Sequence, residues 1–171
     1  FSWDPEMIVV GEIREVMEHP NADRLVLCRL FDGQVEHTVL TGASNLFEYM
    51  GKGTLETPLK VAYAREGAEI IDAYADHFAT TVLKRKKIRG VESYSMACSE
   101  KELGISEEHE GIILLDNDAE AGTPLADYLG DVVYDIAITP NISRAASIYG
   151  VAREIAAVTG ETLRPPELTV L

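Results

Sequence analysis

Short runs in which apolar and polar residues alternate fill the first hundred residues, and this pattern is typical of β-strands. The runs cover residues 8–16, 25–30, 37–40, 60–64, 79–83 and 94–98. Turn-forming residues separate them, among them Pro20, Asn21 and the Asp32-Gly33 pair. A glycine within the first run, Gly11, predicts a bulge or a sharp bend. The pattern therefore predicts a small closed β-barrel.

After residue 98 the pattern changes to short helices mixed with strands. Ser99 and Glu102 have the spacing of a capping box, and Gly104 follows at the position of a helix end. Thr123 and Pro124 predict the start of a second short helix, with Thr123 as its N-cap. Alternation predicts a strand over residues 132–139. The clearest helix is predicted over residues 145–159, where Ile148, Val151, Ile155 and Val158 form an apolar stripe that ends before Gly160.

These elements predict a mainly β protein with some α-helix, in two parts. We expect the barrel domain over residues 1–115 and a partial α/β appendage, a strand plus an amphipathic helix, over residues 116–171. The appendage is too small to bury a core of its own. The apolar stripe of its helix is therefore expected to pack on the barrel or on a segment outside these 171 residues.

Charge and composition narrow the possible functions. The chain has 15 basic and 29 acidic residues, a net charge of −14, so the molecule as a whole should not attract nucleic acid. No apolar run approaches the roughly 20 residues of a membrane span, and the first residue, Phe1, is interpreted as a processed or truncated start. The two cysteines, Cys28 and Cys98, are interpreted as buried thiols rather than a disulfide.

Residues 84–89 form the sharpest electrostatic feature, because five of the six are basic: Lys84, Arg85, Lys86, Lys87 and Arg89. Two interpretations are open. The run is either a solvated edge strand, where lysines block pairing with other sheets, or a ridge that binds phosphates. Tyr63, Tyr94 and Phe78 are candidates for stacking on RNA bases, but packing in the core or at its rim is the favoured interpretation of each.

The sequence contains no recognisable catalytic motif. We find no metal-ligand spacing, no phosphate-binding loop and no nucleophile–base pair, and the four histidines are scattered. The residues alone therefore indicate an acidic barrel with one basic segment, and they do not indicate an activity.

Several segments resemble a known family. The run His19-Pro20-Asn21-Ala22-Asp23-Arg24-Leu25 resembles the opening of the tRNA-binding OB-fold, and Thr41-Gly42-Ala43-Ser44-Asn45 resembles its C-G-A-P-N turn. The stretch from Ile88 to Gly104 is close to the family's L-R-G-V-E-S-x-G-M-x-C-S-x-x-E-L-G, with Ser95 in place of a glycine. Later segments, such as Ile138-Thr139-Pro140-Asn141 and Ser147-Ile148-Tyr149-Gly150-Val151-Ala152-Arg153-Glu154, resemble the N-terminal region of the bacterial phenylalanyl-tRNA synthetase β subunit. Residues 142–146 depart from that pattern, so a role for this loop does not carry over.

The resemblance implies a five-stranded OB-fold barrel in a fragment of a much longer subunit. It implies an N-terminal segment that precedes the barrel and packs with the region after it. It also implies an α2β2 assembly with the α subunit and the rest of β, which attaches phenylalanine to tRNA with ATP and magnesium in the cytoplasm. The catalytic sites lie outside this fragment, so no catalytic residue, metal or cofactor is expected here. Neither a membrane nor DNA is expected as a partner.

By the same resemblance, the fragment is a non-catalytic tRNA-binding module. The candidate contacts are Lys84, Arg85, Lys86, Lys87, Arg89, Asn45, Ser93 and Ser99. Two alternatives stay open: a structural module that braces the subunit, and a stand-alone tRNA-binding or chaperone-like protein.

Overall fold

The computed structural model describes residues 3–75, 79–131 and 133–165. Its strands are β1 (Ile8–Glu18), β2 (Val26–Phe31), β3 (Glu36–Thr41), β4 (Thr54–Ala64), β5 (Glu69–Ile71), β6 (Thr80–Val82), β7 (Lys86–Ile88), β8 (Val91–Ser93), β9 (Met96–Ala97) and β10 (Leu114–Leu115). The helices are α1 (Leu125–Leu129) and α2 (Ile148–Thr159), and 3₁₀ segments cover Ser44–Tyr49 and Pro140–Ala145.

The central sheet is antiparallel and has the order β10-β4-β1-β2-β3, with β9 also paired to β4. The far strand β3 lies beside β8 and β9, which nearly closes the sheet into a five-stranded barrel. The predicted OB-fold is therefore confirmed. Alternation explains the inside of the barrel: Val26, Cys28 and Leu30 of β2 point inward while the residues between them are half-exposed.

Gly11 serves close packing within β1. A Cβ at Gly11 would lie 2.9 Å from the Cβ of Tyr63, which is 1% exposed inside the barrel. The irregularity in the strand pairing instead lies between Ile13 and Glu15. The bulge predicted at Gly11 is therefore wrong, and the glycine makes room for a tyrosine ring in the core.

A second apolar cluster covers the outer side of β1 and β4. It contains Ile8, Ala62, Cys98, Leu103 and Leu125. Leu125 belongs to α1, so the short helix after the barrel helps to bury these strands. The helix starts after Pro124 without a side-chain cap, and the carbonyl of Thr123 accepts a hydrogen bond from the amide of Val10. The predicted N-cap role of Thr123 is wrong, because this residue extends the pairing with β1.

The turn after β9 behaves as the capping box predicts. The Ser99 amide and hydroxyl both donate to the Glu102 carboxylate, at 2.7 and 2.9 Å. A single helical turn then ends at Gly104, whose φ is +74°, and the amide of Ile105 reaches back to the carbonyl of Glu100. This is a Schellman arrangement, which explains why no longer helix follows.

The chain divides into two compact units, residues 1–131 and 132–171. The domain boundary expected after residue 115 stays a prediction. In the second unit, Ser147 caps α2 by accepting from the amide of Gly150, and Gly160 ends it at a φ of +76°. The helix begins at Ile148, later than expected. The strand expected over 132–139 is absent from 133–139, the part of it that the structure describes. A strand needs a neighbouring strand to pair with, and among the described residues no strand pairs with 133–139.

Candidate nucleic-acid interface

The basic run lies on a surface hairpin, which we call the basic hairpin and define as residues 84–93. It consists of β7 and β8, paired Lys86 to Ser93 and Lys87 to Glu92. Arg89 and Gly90 form its two-residue turn with φ values of 50° and 93°. Positive φ at both central positions defines a type I′ turn, for which glycine is favoured. The strand predicted over residues 79–83 is β6, which covers only Thr80–Val82. Residues 83–85 separate it from β7.

The position of the basic hairpin in the barrel matches known OB-fold ligand sites. It lies in the long connection between β4 and β9, and its tip meets the loop between β1 and β2. There the side-chain amide of Asn21 donates to the carbonyl of Arg89 at 3.3 Å. In OB-folds, the loop between the first two strands and the loop before the last strand commonly bind oligonucleotides. The hairpin is therefore placed at such a site.

Arg85 differs from the other basic residues of the hairpin because its exposed side chain is bound to side chains of the protein itself. Its guanidinium contacts the carboxylates of Glu66 at 2.8 Å and Glu92 at 3.1 Å, and it lies 4.4 Å from the centre of the Tyr94 ring. The hydrogen bond from Arg85 lowers the pKa of Glu66, and Glu66 in turn raises the pKa of Arg85. Arg85 thus fastens the basic hairpin to the barrel, and its charge is locally balanced.

The other four cations are available to solvent. Lys84, Lys86, Lys87 and Arg89 are all exposed. Within the residues that the structure describes, none of these four has a carboxylate at ion-pair distance. The hairpin therefore concentrates four uncompensated positive charges on a molecule whose net charge is −14. Such a local cluster can still act, because salt screens charges further away than about 8 Å.

The predicted polar contacts occupy different settings. Asn45 binds the backbone of Ile112 at both ends: Nδ2 donates to its carbonyl at 2.9 Å and Oδ1 accepts from its amide at 3.2 Å. Ser99 is 3% exposed and belongs to the capping box. Ser93 is half-buried on β8 and lies closest in sequence to the cations. The structure thus brings Ser93 together with the basic hairpin and gives Asn45 and Ser99 roles in the fold.

The aromatic candidates also separate. Tyr63 lies in the barrel core, where burial raises its pKa to about 12. Tyr94 stacks under Arg85, and its hydroxyl lies 3.2 Å from Nδ1 of His37. Phe78 lies outside the described residues. Both described candidates support the fold: Tyr63 is buried, and Arg85 lies over one face of the Tyr94 ring.

A cleft of about 790 Å³ adjoins the basic hairpin. Lys84, Lys86 and Ser93 form part of one wall. Apolar side chains line its floor, and Asp72, Tyr74, His109 and Glu110 lie on its rim. Its volume is within the range of small-molecule sites. Sequence reasoning missed this cleft because its walls come from four separate segments.

A buried polar cluster around Asp32 was also not predicted from the sequence. Asp32 is 4% exposed and accepts hydrogen bonds from the amides of Gln34 and Val35, at 3.0 and 2.9 Å. Its other oxygen lies 3.2 Å from His37 and 3.3 Å from Arg65. Burial alone would raise the pKa of Asp32, but the two amides and His37 together hold it below its ordinary value. This cluster supports His37 and hence Tyr94.

The described residues contain no group of three or more histidine, cysteine, aspartate or glutamate side chains that could hold a metal ion. Both cysteines are free and buried, and burial raises the pKa of Cys28 to about 12. The interpretation as buried thiols is confirmed. In the same part of the chain, no helix combines the length and the apolar character that a membrane crossing requires.

Comparison with known proteins decides the family. The family described as "Putative tRNA binding domain" matches residues 8–124, which include the whole barrel and the basic hairpin. The chain belongs to this tRNA-binding family. The tRNA-binding domain thus coincides with the part of the molecule that carries the four exposed cations.

Several curated proteins similar to this chain carry the same name. "Phenylalanine--tRNA ligase beta subunit" from Dehalococcoides mccartyi strain 195 is 45% identical over 151 residues, 88% of this chain and 17% of the relative. The proteins of that name from Protochlamydia amoebophila and Rhodospirillum rubrum are 43% and 47% identical, over 94% and 87% of this chain and 18% and 17% of the relatives. The chain spans less than a fifth of their length. Among solved structures, a MetRS related protein from Pyrococcus horikoshii is 18% identical, has a TM-score of 0.42, and matches 68% of this chain and 86% of its own.

Proposed function

We propose that this chain is a non-catalytic tRNA-binding module of a phenylalanine–tRNA ligase β subunit, and that the basic hairpin contacts tRNA phosphates. One observation carries the proposal. The tRNA-binding domain places Lys84, Lys86, Lys87 and Arg89 together, exposed and without acidic partners, among the residues the structure describes. Arg85 acts as a positioning residue that holds them in place.

The wider setting follows from the relatives. The word subunit in their name supports assembly of the module with the rest of β and a partner subunit. We propose, as the family resemblance implies, that the assembly is an α2β2 enzyme with the ligase α subunit in the cytoplasm. In that enzyme ATP and magnesium would serve the aminoacylation site, outside this fragment. Structured tRNA rather than DNA would be the ligand. The fragment itself contributes binding and positioning and no chemical step.

Salt dependence gives the magnitude expected for this site. Each phosphate contact releases counterions and contributes about −0.7 to −0.9 to the slope of log K against log salt concentration. Four cations therefore predict a slope of about −3. Such binding is weak at physiological salt and becomes measurable at low salt. This behaviour fits an auxiliary contact within a larger enzyme.

The test compares two double variants that change the net charge equally. Lys86→Ala with Lys87→Ala removes charge from the basic hairpin, and Arg153→Ala with Arg164→Ala removes the same charge from exposed positions of the second unit. We expect the first to weaken tRNA binding in a filter or anisotropy assay and to reduce the salt slope by about 1.5. The second should leave both unchanged. Equal effects of the two double variants would refute a localised site.

A bracing role is the second candidate, favoured by the net charge of −14 and by the exposed apolar side chains of α2. Ile148 and Val158 are 92% and 88% exposed. A chain that fails to bind tRNA even at low salt would support this role. The stand-alone alternative requires a parent reading frame of about this chain's length. Sequencing the gene distinguishes a stand-alone protein from a module of a longer subunit.

A further inference from the structure

Tyr74 stands out as the most exposed aromatic residue near the basic hairpin. Its side chain is 92% exposed, and it lies on the rim of the 790 Å³ cleft whose wall contains Lys84 and Lys86. A tyrosine ring offers a large apolar face to a ligand and keeps its hydroxyl in water. None of the sequence patterns singles out this residue.

Two hydrogen bonds hold the backbone next to Tyr74. Asp72 accepts a hydrogen bond from the Tyr74 amide at 3.0 Å, and the Asp72 amide donates to the carbonyl of Ala79 at 2.8 Å. The ring also packs edge-on against His109, with centroids 6.3 Å apart and planes at 85°. An edge contact leaves a face of the tyrosine ring uncovered by His109. The turn therefore fixes the backbone that carries an open stacking surface.

Charge is distributed unevenly along the cleft. Asp72 and Glu110 lie at the end with Tyr74 and His109, whereas Lys84 and Lys86 belong to the hairpin wall. A phosphate is favoured near the lysines and repelled from the acidic end. The neutral part of a nucleotide, its base, fits the acidic and aromatic end. The apolar floor, which includes Ile70, suits a base better than it suits a sugar–phosphate chain.

The spacing between the two ends fits a short single strand. The β5–β6 hairpin pairs Ile71 with Thr80 and Glu69 with Val82, so Tyr74 lies beyond its loop end and Lys84 beyond the other end. At about 3.3 Å per residue the two ends are roughly 10–20 Å apart. A few unpaired nucleotides cover that distance, whereas the paired bases of a duplex are stacked inside the helix and cannot reach a ring.

We propose that the cleft is a site for unpaired RNA nucleotides, with a base stacked on Tyr74 and neighbouring phosphates on Lys84 and Lys86. This inference rests on the proposed function and adds the structural class of RNA that enters the site. The ligand is an unstacked loop or end of the tRNA, and stacking rather than base-edge hydrogen bonding provides the contact.

The test measures binding of the full chain to tRNA and to a labelled single-stranded RNA of about eight nucleotides. Tyr74→Ala is compared with Tyr74→Phe, which keeps the ring, and with Tyr134→Ala, which removes a tyrosine 78% exposed in the second unit. We expect Tyr74→Ala to lower the affinity for both ligands about 5- to 150-fold, which is the range for loss of one stacked base. Tyr74→Phe and Tyr134→Ala should bind as the unchanged chain does.

Salt and competition separate stacking from charge. Loss of a stacked base leaves the salt slope unchanged, whereas Lys84→Ala lowers it by about 0.7. Single-stranded RNA should compete with tRNA better than a duplex of equal length. Equal binding by Tyr74→Ala and the unchanged chain, or equal competition by the duplex, would overturn this inference while the lysine variants still test the proposed function. If the chain binds no RNA, both fail together.

Discussion

Replacing Asn45 by alanine tests whether this side chain serves the fold or the RNA. Its amide makes two hydrogen bonds to the backbone of Ile112, and Ile112 is 6% exposed. Each such bond contributes about 0.5–1.5 kcal/mol, so their loss costs about 1–3 kcal/mol. The upper half of that range is expected, because the buried amide and carbonyl of Ile112 would keep no equivalent partner.

Unfolding of the barrel is followed through Trp3, the only tryptophan of the chain. Its indole donates to the carbonyl of Leu103 at 2.9 Å within the first unit, so its fluorescence reports on that unit. For a chain of this length, 1 kcal/mol corresponds to about 2–4 °C in Tm. Asn45→Ala should therefore lower Tm by about 4–12 °C and move the urea midpoint to lower concentration.

Ser44→Ala is the matched control. The Ser44 hydroxyl makes only a 3.4 Å contact with the carbonyl of Glu110 on the exposed surface. Its removal should change stability by less than about 0.5 kcal/mol. Asn45→Ala with the stability of the unchanged chain and a reduced affinity for tRNA would refute the structural interpretation and would make Asn45 an RNA contact, as the family resemblance implies.

Three further predictions follow from single contacts. Lys60→Met should destabilise the chain at neutral pH, because the Lys60 hydrogen bond lowers the pKa of Glu12 below its ordinary 4.5. That stabilisation is present above pH 4.5 and is lost as the pH falls through the lowered pKa of Glu12. The urea unfolding curves of the variant and the unchanged chain should therefore converge in acid. The native chain should not react with a thiol reagent at pH 8, because burial raises the pKa of Cys28 to about 12 and also raises the pKa of Cys98. In denaturant, both thiols should react. A thiol that reacts fast in the native chain would contradict this prediction. Arg85→Lys should speed hydrogen exchange across the basic hairpin, because lysine cannot hold two carboxylates and a ring face together, and unchanged exchange would remove Arg85 as the anchor.

The barrel strands could be predicted because their inner residues face one continuous core. Alternation such as that of Val26, Cys28 and Leu30 is a local pattern, and so is the capping box of Ser99. Strand limits depend on distant partners: β4 begins at Thr54, before the expected residue 60, because Thr54 is paired with Glu15 of β1. Residues 132–139 have the alternation of a strand, but no strand of the described chain pairs with residues 133–139.

The candidate site divides in the same way. Its basic residues are close together in the sequence, so the cations of the basic hairpin could be predicted from the sequence. The role of Arg85 was not, because its partner Glu66 is 19 residues away. The cleft and the Asp32 cluster were missed for the same reason: residues such as Asp32 and Arg65 become neighbours only after the barrel has formed. Exposure, which distinguishes Tyr74 from Tyr63, is likewise a property of the fold.

The anchors of the basic hairpin have a consequence for synthesis of the chain. Asn21 and Glu66 leave the ribosome before the hairpin does, and Tyr94 follows directly after it. Until β1 to β4 have paired, these anchors are far apart. The lysines of the basic hairpin then belong to an unfolded segment of a chain that is rich in acidic residues. The proposed tRNA contact surface therefore forms at a late step of folding. A truncated or misfolded chain would carry the same charges without the hairpin geometry that the proposed contacts require.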